Sequence, residues 1–223
     1  MLLIIVSAGL FFWAERVLLT RLAAGRDFEK GMRYAEKARA LPRDVLVKRS
    51  VLYQGVLKSL QRSRALNPAD ARVYFESGEV LAEIMPDKEL RDSIVAGDFG
   101  IQGNTEEAFY ASVKKYYIEA VRRQPTNAVY HQRLGQIYDV LSDTRRAEEE
   151  FDKALYLDPL NLSIHIFLSK YYLSKHNEEK FNVHLARTIQ LYQKTGLAEG
   201  GGPLHNMMVS FLRSIEKEEL IAK

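Results

Sequence analysis

The sequence predicts an all-α protein made of helical hairpins that recur along the chain. Three observations carry that expectation. Residues 128–161 form a unit in which Leu134, Gly135, Tyr138, Ala147, Phe151, Ala154 and Pro159 each sit where an antiparallel helix pair needs that residue type. Five of these positions recur one unit length later as Leu168, Ser169, Tyr172, Phe181 and Leu185. Helix formers dominate a chain with 13 glycines and 6 prolines in 223 residues, and no useful length alternates at the two-residue period of a strand.

The elements follow in chain order. Met1 to Ala14 carries no charge and includes Leu2, Leu3, Ile4, Ile5, Val6, Leu10, Phe11, Phe12 and Trp13. The apolar pattern continues through Val17, Leu18, Leu19, Leu22, Ala23 and Ala24, interrupted by Glu15, Arg16 and Arg21. Asp27 to Leu41 reads as the second helix of a hairpin, with Phe28, Gly31, Ala35 and Ala38 ahead of Leu41-Pro42; its partner is expected upstream. Val45 to Leu66 is a further helix, with Val51, Leu52, Val56, Leu57 and Leu60 as its apolar positions. Ala71 to Ile84 is expected as a first helix packed through Tyr74, Gly78 and Leu81. Its second helix, Glu106 to Arg123, uses Tyr117 and Ala120. Between them Met85 to Thr105, with Pro86, Gly97, Gly100 and Gly103, is an insertion that is either a decorated loop or a functional excursion.

In the complete unit, Leu134 and Tyr138 lie four apart and share one helical face. Gly135 and Ala147 are small where two helices approach closely, and Phe151 and Ala154 form the inward face of the second helix. Pro159 stops that helix because proline cannot continue the hydrogen-bond ladder. In the following unit Ser169 keeps the small size, but Phe181 replaces a small residue, so that hairpin is expected to splay or to turn a face toward a neighbour. A glycine-rich loop over 196–203 and an amphipathic capping helix over 204–223 complete the chain.

The spacing over 128–161 resembles the tetratricopeptide repeat, and repeat character extends over 25–195, strongly in one unit and weakly in the rest. The resemblance implies a short right-handed superhelix of hairpins. Its concave groove, lined by first helices, would hold a partner peptide or helix. On that face the sequence places Glu76, Glu79 and Glu83, then Gln132, Arg133, Gln136 and Asp139, then Phe167, Lys170 and Ser174. The charge runs from acidic to basic, which would set a partner's register. Chaperone-binding members of the family clamp a terminal carboxylate with lysine and asparagine; Gln132 and Gln136 stand at those places, so that activity is not implied.

Residues 1–24 are expected to be a transmembrane anchor running into the first repeat helix, the other readings being a cleaved signal peptide or a buried apolar helix. The uncharged fourteen residues span only about 21 Å at helical rise, short of a hydrocarbon core of about 30 Å. The continuation to Ala24, with Trp13 suited to the headgroup boundary, supplies the remainder. The fold class expected is therefore all-α repeats preceded by an N-terminal membrane helix, in a bacterial inner-membrane, single-pass protein. The basic residues after Ala14 favour repeats on the cytoplasmic side; similar anchored repeat proteins commonly display them outside it.

Chemistry is sparse. With no cysteine there are no disulfides or thiol nucleophiles. His131, His165, His176, His184 and His205 lack metal-ligand spacing with acidic partners, and the equivalent repeat positions of His131 and His165 point to packing. Asp98-Phe99-Gly100 lacks every companion motif of a kinase. A net charge of +3 is too small for a nucleic-acid footprint. No enzyme activity, cofactor, metal or small-molecule substrate is expected. The partners expected are proteins, the subunits of a membrane complex, with the membrane engaged through the N-terminal helix. The chain reads as an anchored scaffold or assembly factor. The alternative is an accessory module of an envelope glycan system, because the passage from an apolar helix into Asp27 to Pro42 and then Asn67-Pro68-Ala69-Asp70-Ala71 is similar to the tail of O-antigen ligase and polymerase proteins.

Overall fold

In the computed structural model the described residues are 2–95, 105–194 and 202–215, with side chains described from Ala14 onward except at Val95. Their backbone forms ten α-helices: α1 (Leu2–Ala40), α2 (Leu46–Leu66), α3 (Ala71–Ile84), α4 (Lys88–Val95), α5 (Glu106–Arg123), α6 (Ala128–Val140), α7 (Thr144–Leu157), α8 (Leu162–Ser174), α9 (Glu178–Lys194) and α10 (Pro203–Ser214). No strand occurs among the described residues. They divide into two compact units: Met1–Thr126 with Gln136–Thr144, and Asn127–Gly135 with Arg145–Lys223.

In the first unit α1 and α2 form an antiparallel hairpin whose close approach is set by glycine. A Cβ at Gly31 would lie 3.3 Å from Ser59 Cβ and 3.6 Å from Leu60 Cδ2, and one at Gly55 would strike the Tyr34 ring at 2.9 Å. Ala35, Ala38, Val56 and Leu60 are buried along this seam. Asp27 to Leu41 is thus a first helix paired with the chain that follows it, not a second helix paired upstream. Pro42 falls inside a hairpin instead of between two. Of the apolar positions of α2, Val56, Leu57 and Leu60 are buried while Val51 is 63% exposed.

No helix among the described residues is long and apolar enough to cross a membrane. The anchor expected over 1–24 does not appear there as a separate spanning element. The helix continues unbroken to Ala40, and Glu15, Arg16 and Arg21 interrupt its apolar run. The uncharged stretch Met1 to Ala14 lies almost wholly outside the residues whose side chains are described.

The second hairpin of this unit pairs α3 with α5. Asp70 caps α3 by accepting from the Arg72 backbone N–H, and Thr105 caps α5 by accepting from that of Ala108. Gly78 lies under Tyr117, where an added Cβ would come within 2.6 Å of the ring. The insertion that separates the two helices is not merely a loop: it contains α4, whose Leu90 and Ile94 are fully buried. Ser93 Oγ donates to the Leu90 carbonyl at 2.7 Å and accepts from Ser50 Oγ–H at 2.9 Å, and Gln54 Nε2 donates to the Ser93 carbonyl at 3.1 Å, fastening α4 to α2. Gly97, Gly100 and Gly103 lie outside the described residues.

In the second unit the start of α6 pairs with α7. Asn127 Oδ1 accepts from the Val129 N–H at 3.0 Å. A Cβ on Gly135 would sit 2.5 Å from Phe151 Cε1 and 3.0 Å from the Ala147 carbonyl, so only glycine permits this approach. Ala147, Phe151 and Ala154 are completely buried, as the inward face of a second helix requires. Next, α8 pairs with α9. Ser169 is buried and donates its hydroxyl to the His165 carbonyl at 2.8 Å, so its extra polarity is satisfied within the helix. Phe181 is buried as well, and the helices remain in contact across His165 and His184, so it does not force them apart at that level. Pro203 starts α10, which buries Met208, Phe211 and Leu212 and packs on α8. Residues 195–201 and 216–223, covering most of the expected glycine-rich loop and the end of the capping helix, lie outside the described residues.

Candidate partner-binding surfaces

On α3, the carboxylates expected in a groove divide into two kinds. Glu79 accepts the Tyr117 hydroxyl at 2.5 Å. Glu83 accepts from Tyr53 Oη at 2.6 Å and from Arg39 Nε at 2.9 Å. These two acids hold α3 to α5, α2 and α1. Burial, followed by the hydrogen bond to Glu83, pushes the Tyr53 phenol up to about 12. Glu76 differs: it is half-buried and makes no hydrogen bond among the described residues. Loss of solvation, then the neighbouring Glu79 charge, raises its carboxyl above the ordinary range, with Arg39 opposing. Nearby, Arg49 is buried and pairs with Asp87 at 3.0 Å, so the insertion is tied to α2 by charge as well.

Of the remaining expected site residues, Gln136 is half-buried in the first unit, while Gln132 is buried and Arg133 half-buried on α6 in the second. Phe167 is half-buried and has ring neighbours that the sequence does not foresee. Helical position puts it where nothing in its own hairpin needs it, yet its ring lies 5.2 Å from that of Phe151 and stacks at 6.3 Å on Tyr171, inside an aromatic cluster. Lys170 is exposed with its ammonium 5.5 Å over the Phe211 ring of α10. Both side chains thus contact aromatic rings of neighbouring helices.

Two polar pairs are not foreseen from the sequence. His131 Nδ1–H donates to Glu150 Oε2 at 2.6 Å, and Lys153 donates to Glu150 Oε1 at 2.6 Å. Burial pushes the Glu150 carboxyl up, but these two bonds outweigh it and hold the group below its ordinary range. At the equivalent place one period later, His165 Nε2–H donates to the Pro159 carbonyl at 3.1 Å, leaving its Nδ1 to accept from His184 Nδ1–H at 3.1 Å. His184 stacks on Tyr172 with rings 9° apart. Burial, then the charge His165 would carry, then Lys180, presses His184 down to about 4; burial lowers His165 too. The two pairs have the same separation along the chain and stand one repeat apart, and that shared spacing is the signal the sequence offers. Among the described residues no group of three or more His, Cys, Asp or Glu side chains is placed to hold a metal ion.

No protein-family model matches the sequence, and no curated protein matches it. Solved structures do. A MamA double mutant (RS-1) superposes with a TM-score of 0.50 at 18% identity, over 81% of this chain and 97% of that one. The fold is tetratricopeptide-like. A thermophilic tetratricopeptide protein of Thermus thermophilus, TTC0263, matches at 18% identity over 87% of this chain and all of that one, TM-score 0.42. PilF of Pseudomonas aeruginosa matches at 15% identity over 91% and 89%, TM-score 0.40. At these identities the likeness is one of fold.

Proposed function

We propose that the protein is a membrane-anchored tetratricopeptide scaffold that binds a protein partner and supports assembly or stability of a larger membrane complex. The observation that carries the binding half is Glu76. A half-buried carboxylate without a hydrogen bond, raised by desolvation and by Glu79, is held at a cost that a partner's lysine or arginine would offset. The anchoring half is supported by α1. Its pairing with α2 ends near Ala24, and the turns before it leave Leu18, Leu19 and Leu22 more than half exposed. These follow the uncharged stretch Met1 to Ala14, which suits a single-pass segment in a bacterial inner membrane.

Detergent-solubilised full-length protein should recover a discrete set of membrane-complex subunits. Glu76→Gln should weaken that recovery while Glu107→Gln, an exposed acid on α5, leaves it unchanged. Equal recovery by both variants refutes the α3 site. Recovery of a glycan-transfer enzyme instead would favour the accessory-module reading. Removing residues 1–22 keeps the α1–α2 seam and should release the protein from membranes. Full-length protein already soluble without detergent refutes the anchor. Protease protection in intact cells decides which side the repeats face.

A further inference from the structure

Where α1 leaves its partner, a cavity of about 280 Å³ is lined by Arg16, Val17, Thr20 and Arg21 from α1 and by Leu66 and Asn67 at the end of α2. The four α1 residues stand at i, i+1, i+4 and i+5 and so form one patch. Leu18, Leu19 and Leu22 lie on the opposite side of the helix. Arg16 and Arg21 make no ion pair among the described residues, and Thr20 spends its proton on the Arg16 carbonyl at 2.7 Å. Two arginines without an ion pair thus line a space that Asn67 also borders. The C-terminal end of α2 brings a partial charge of roughly −0.5 to the same place, which two full positive charges exceed.

We propose that this cavity is a phosphate site for the headgroup of an anionic phospholipid, a proposal that rests on the membrane-anchor reading above. Depth selects the lipid as the source. At helical rise Arg16 and Arg21 lie about 21 and 28 Å from Leu2, so an α1 embedded by its uncharged end carries Arg21 at the edge of a hydrocarbon core of about 30 Å and Arg16 one turn or two below it, from where its long side chain extends to the same edge. Arginine meets a phosphodiester with paired N–H donors, which gives this cavity a geometric preference beyond diffuse attraction. Further along α1, Arg33 and Lys37 carry the same charge. They lie about 18 Å or more beyond Arg21, outside the screening length of about 8 Å at physiological salt.

The test is flotation of full-length protein with vesicles of neutral phosphatidylcholine and with vesicles containing about 30% phosphatidylglycerol. Binding to the anionic vesicles should be about tenfold tighter or more. Arg16→Gln with Arg21→Gln should remove that difference without abolishing flotation, and Arg33→Gln with Lys37→Gln should preserve it. Equal binding of the unaltered protein to both vesicles, or an equal loss in the two double variants, overturns the headgroup site while leaving the anchor standing. Failure to float with any vesicle overturns the anchor, and the headgroup site with it. Inorganic phosphate titrated into protein held in neutral nanodiscs should give no saturable binding below millimolar concentration; saturation there would make the free ion, not the lipid, the ligand.

Discussion

Replacing Gly135 by alanine sets two effects of known sign against each other. In a helix interior the change ordinarily stabilises by about 1 kcal/mol, since alanine loses less backbone freedom on folding. At Gly135 the new Cβ would stand 2.5 and 2.6 Å from two carbons of the Phe151 ring and 3.0 Å from the Ala147 carbonyl oxygen. Phe151 is fully buried and the carbonyl belongs to the α7 backbone, so neither yields cheaply. Inserting a methyl into such a site costs about 1–3 kcal/mol, from which the propensity gain of about 1 kcal/mol is subtracted, so α6 and α7 should lose up to about 2 kcal/mol. Gly25 supplies the control: it lies in α1 with nothing within 4 Å of its Cβ position, and Gly25→Ala should stabilise by about 0.5–1 kcal/mol. Native-state hydrogen exchange of the α7 amides reads the first and urea unfolding followed by helicity the second. Phe151→Leu in the Gly135→Ala background should recover part of the loss, giving a non-additive double-mutant cycle. A Gly135→Ala protein as stable as Gly25→Ala, or a strictly additive cycle, would refute the close-packing argument.

Three further outcomes follow from local geometry. Ser142 and His176 occupy the left-handed region with φ of 61° and 56° at the ends of α6 and α8, so Ser142→Gly and His176→Gly should each stabilise by about 0.5–1 kcal/mol in denaturant melts. His184, pressed down to about 4, binds a proton more readily unfolded, at the ordinary histidine value of about 6.5, than folded. Its contribution is therefore complete above about pH 6.5 and lost as pH falls toward 4. At 1.36 kcal/mol per pH unit, discounted by about half for partial exposure, that is roughly 1–2 kcal/mol. His184→Gln should flatten this stretch of the stability–pH curve; an unchanged slope would show the pair does not titrate as described. Glu83→Gln weakens the acceptor that Tyr53 uses and should lower its phenol from about 12 in an ultraviolet titration, though not to the free value, because burial is the larger cause.

What the sequence makes legible is whatever keeps its period. Over 128–161 Leu134, Gly135, Ala147, Phe151 and Ala154 are buried where the spacing puts them, because a single tight turn separates the helices that carry Gly135 and Phe151. In the N-terminal hairpins the same partnership is stretched. Gly31 meets Leu60 across the Pro42 turn and most of a long α2, and Gly78 meets Tyr117 across the whole insertion. Nothing in composition distinguishes a proline that ends a hairpin from one that interrupts it, so sequence alone makes Pro42 a boundary and joins Asp27 to Leu41 to the wrong neighbour. In the insertion, Leu90 and Ile94 stand four apart and announce a buried helix face, but the glycines that follow them read as loop. The binding residues are least legible. Helical position alone implies exposure of Glu79, Glu83, Phe167 and Lys170. Whether such a side chain meets solvent or a Tyr53, Phe151 or Phe211 on another helix depends on contacts distant in the chain.

The repeats also separate two physical tasks along each hairpin. One position sets the distance between helices: Gly31, Gly78 and Gly135 each face a bulky partner, and Ser169 is the small residue at the equivalent place. Another, four positions earlier in the three later hairpins, carries a polar side chain whose matching partner is on the second helix. There it is the buried pair His131 and Glu150, then His165 and His184; in α3 and α5 it is Tyr74 and Tyr116, each accepting from an arginine, Arg123 at 2.7 Å and Arg64 at 2.8 Å. The distance position is strict at Gly78 and Gly135, where an added Cβ would strike a ring at 2.6 and 2.5 Å, and less so at Gly31, where the nearest atom stands at 3.3 Å. The polar position is more permissive, because a facing side chain, or an arginine from a neighbouring turn or helix, can supply the missing donor or acceptor there. It is therefore where hairpins of one geometry acquire different responses. Its two partners hold the Glu150 carboxyl below its ordinary range, whereas burial and the neighbouring positive charge disfavour protonation of His184, and burial disfavours that of His165.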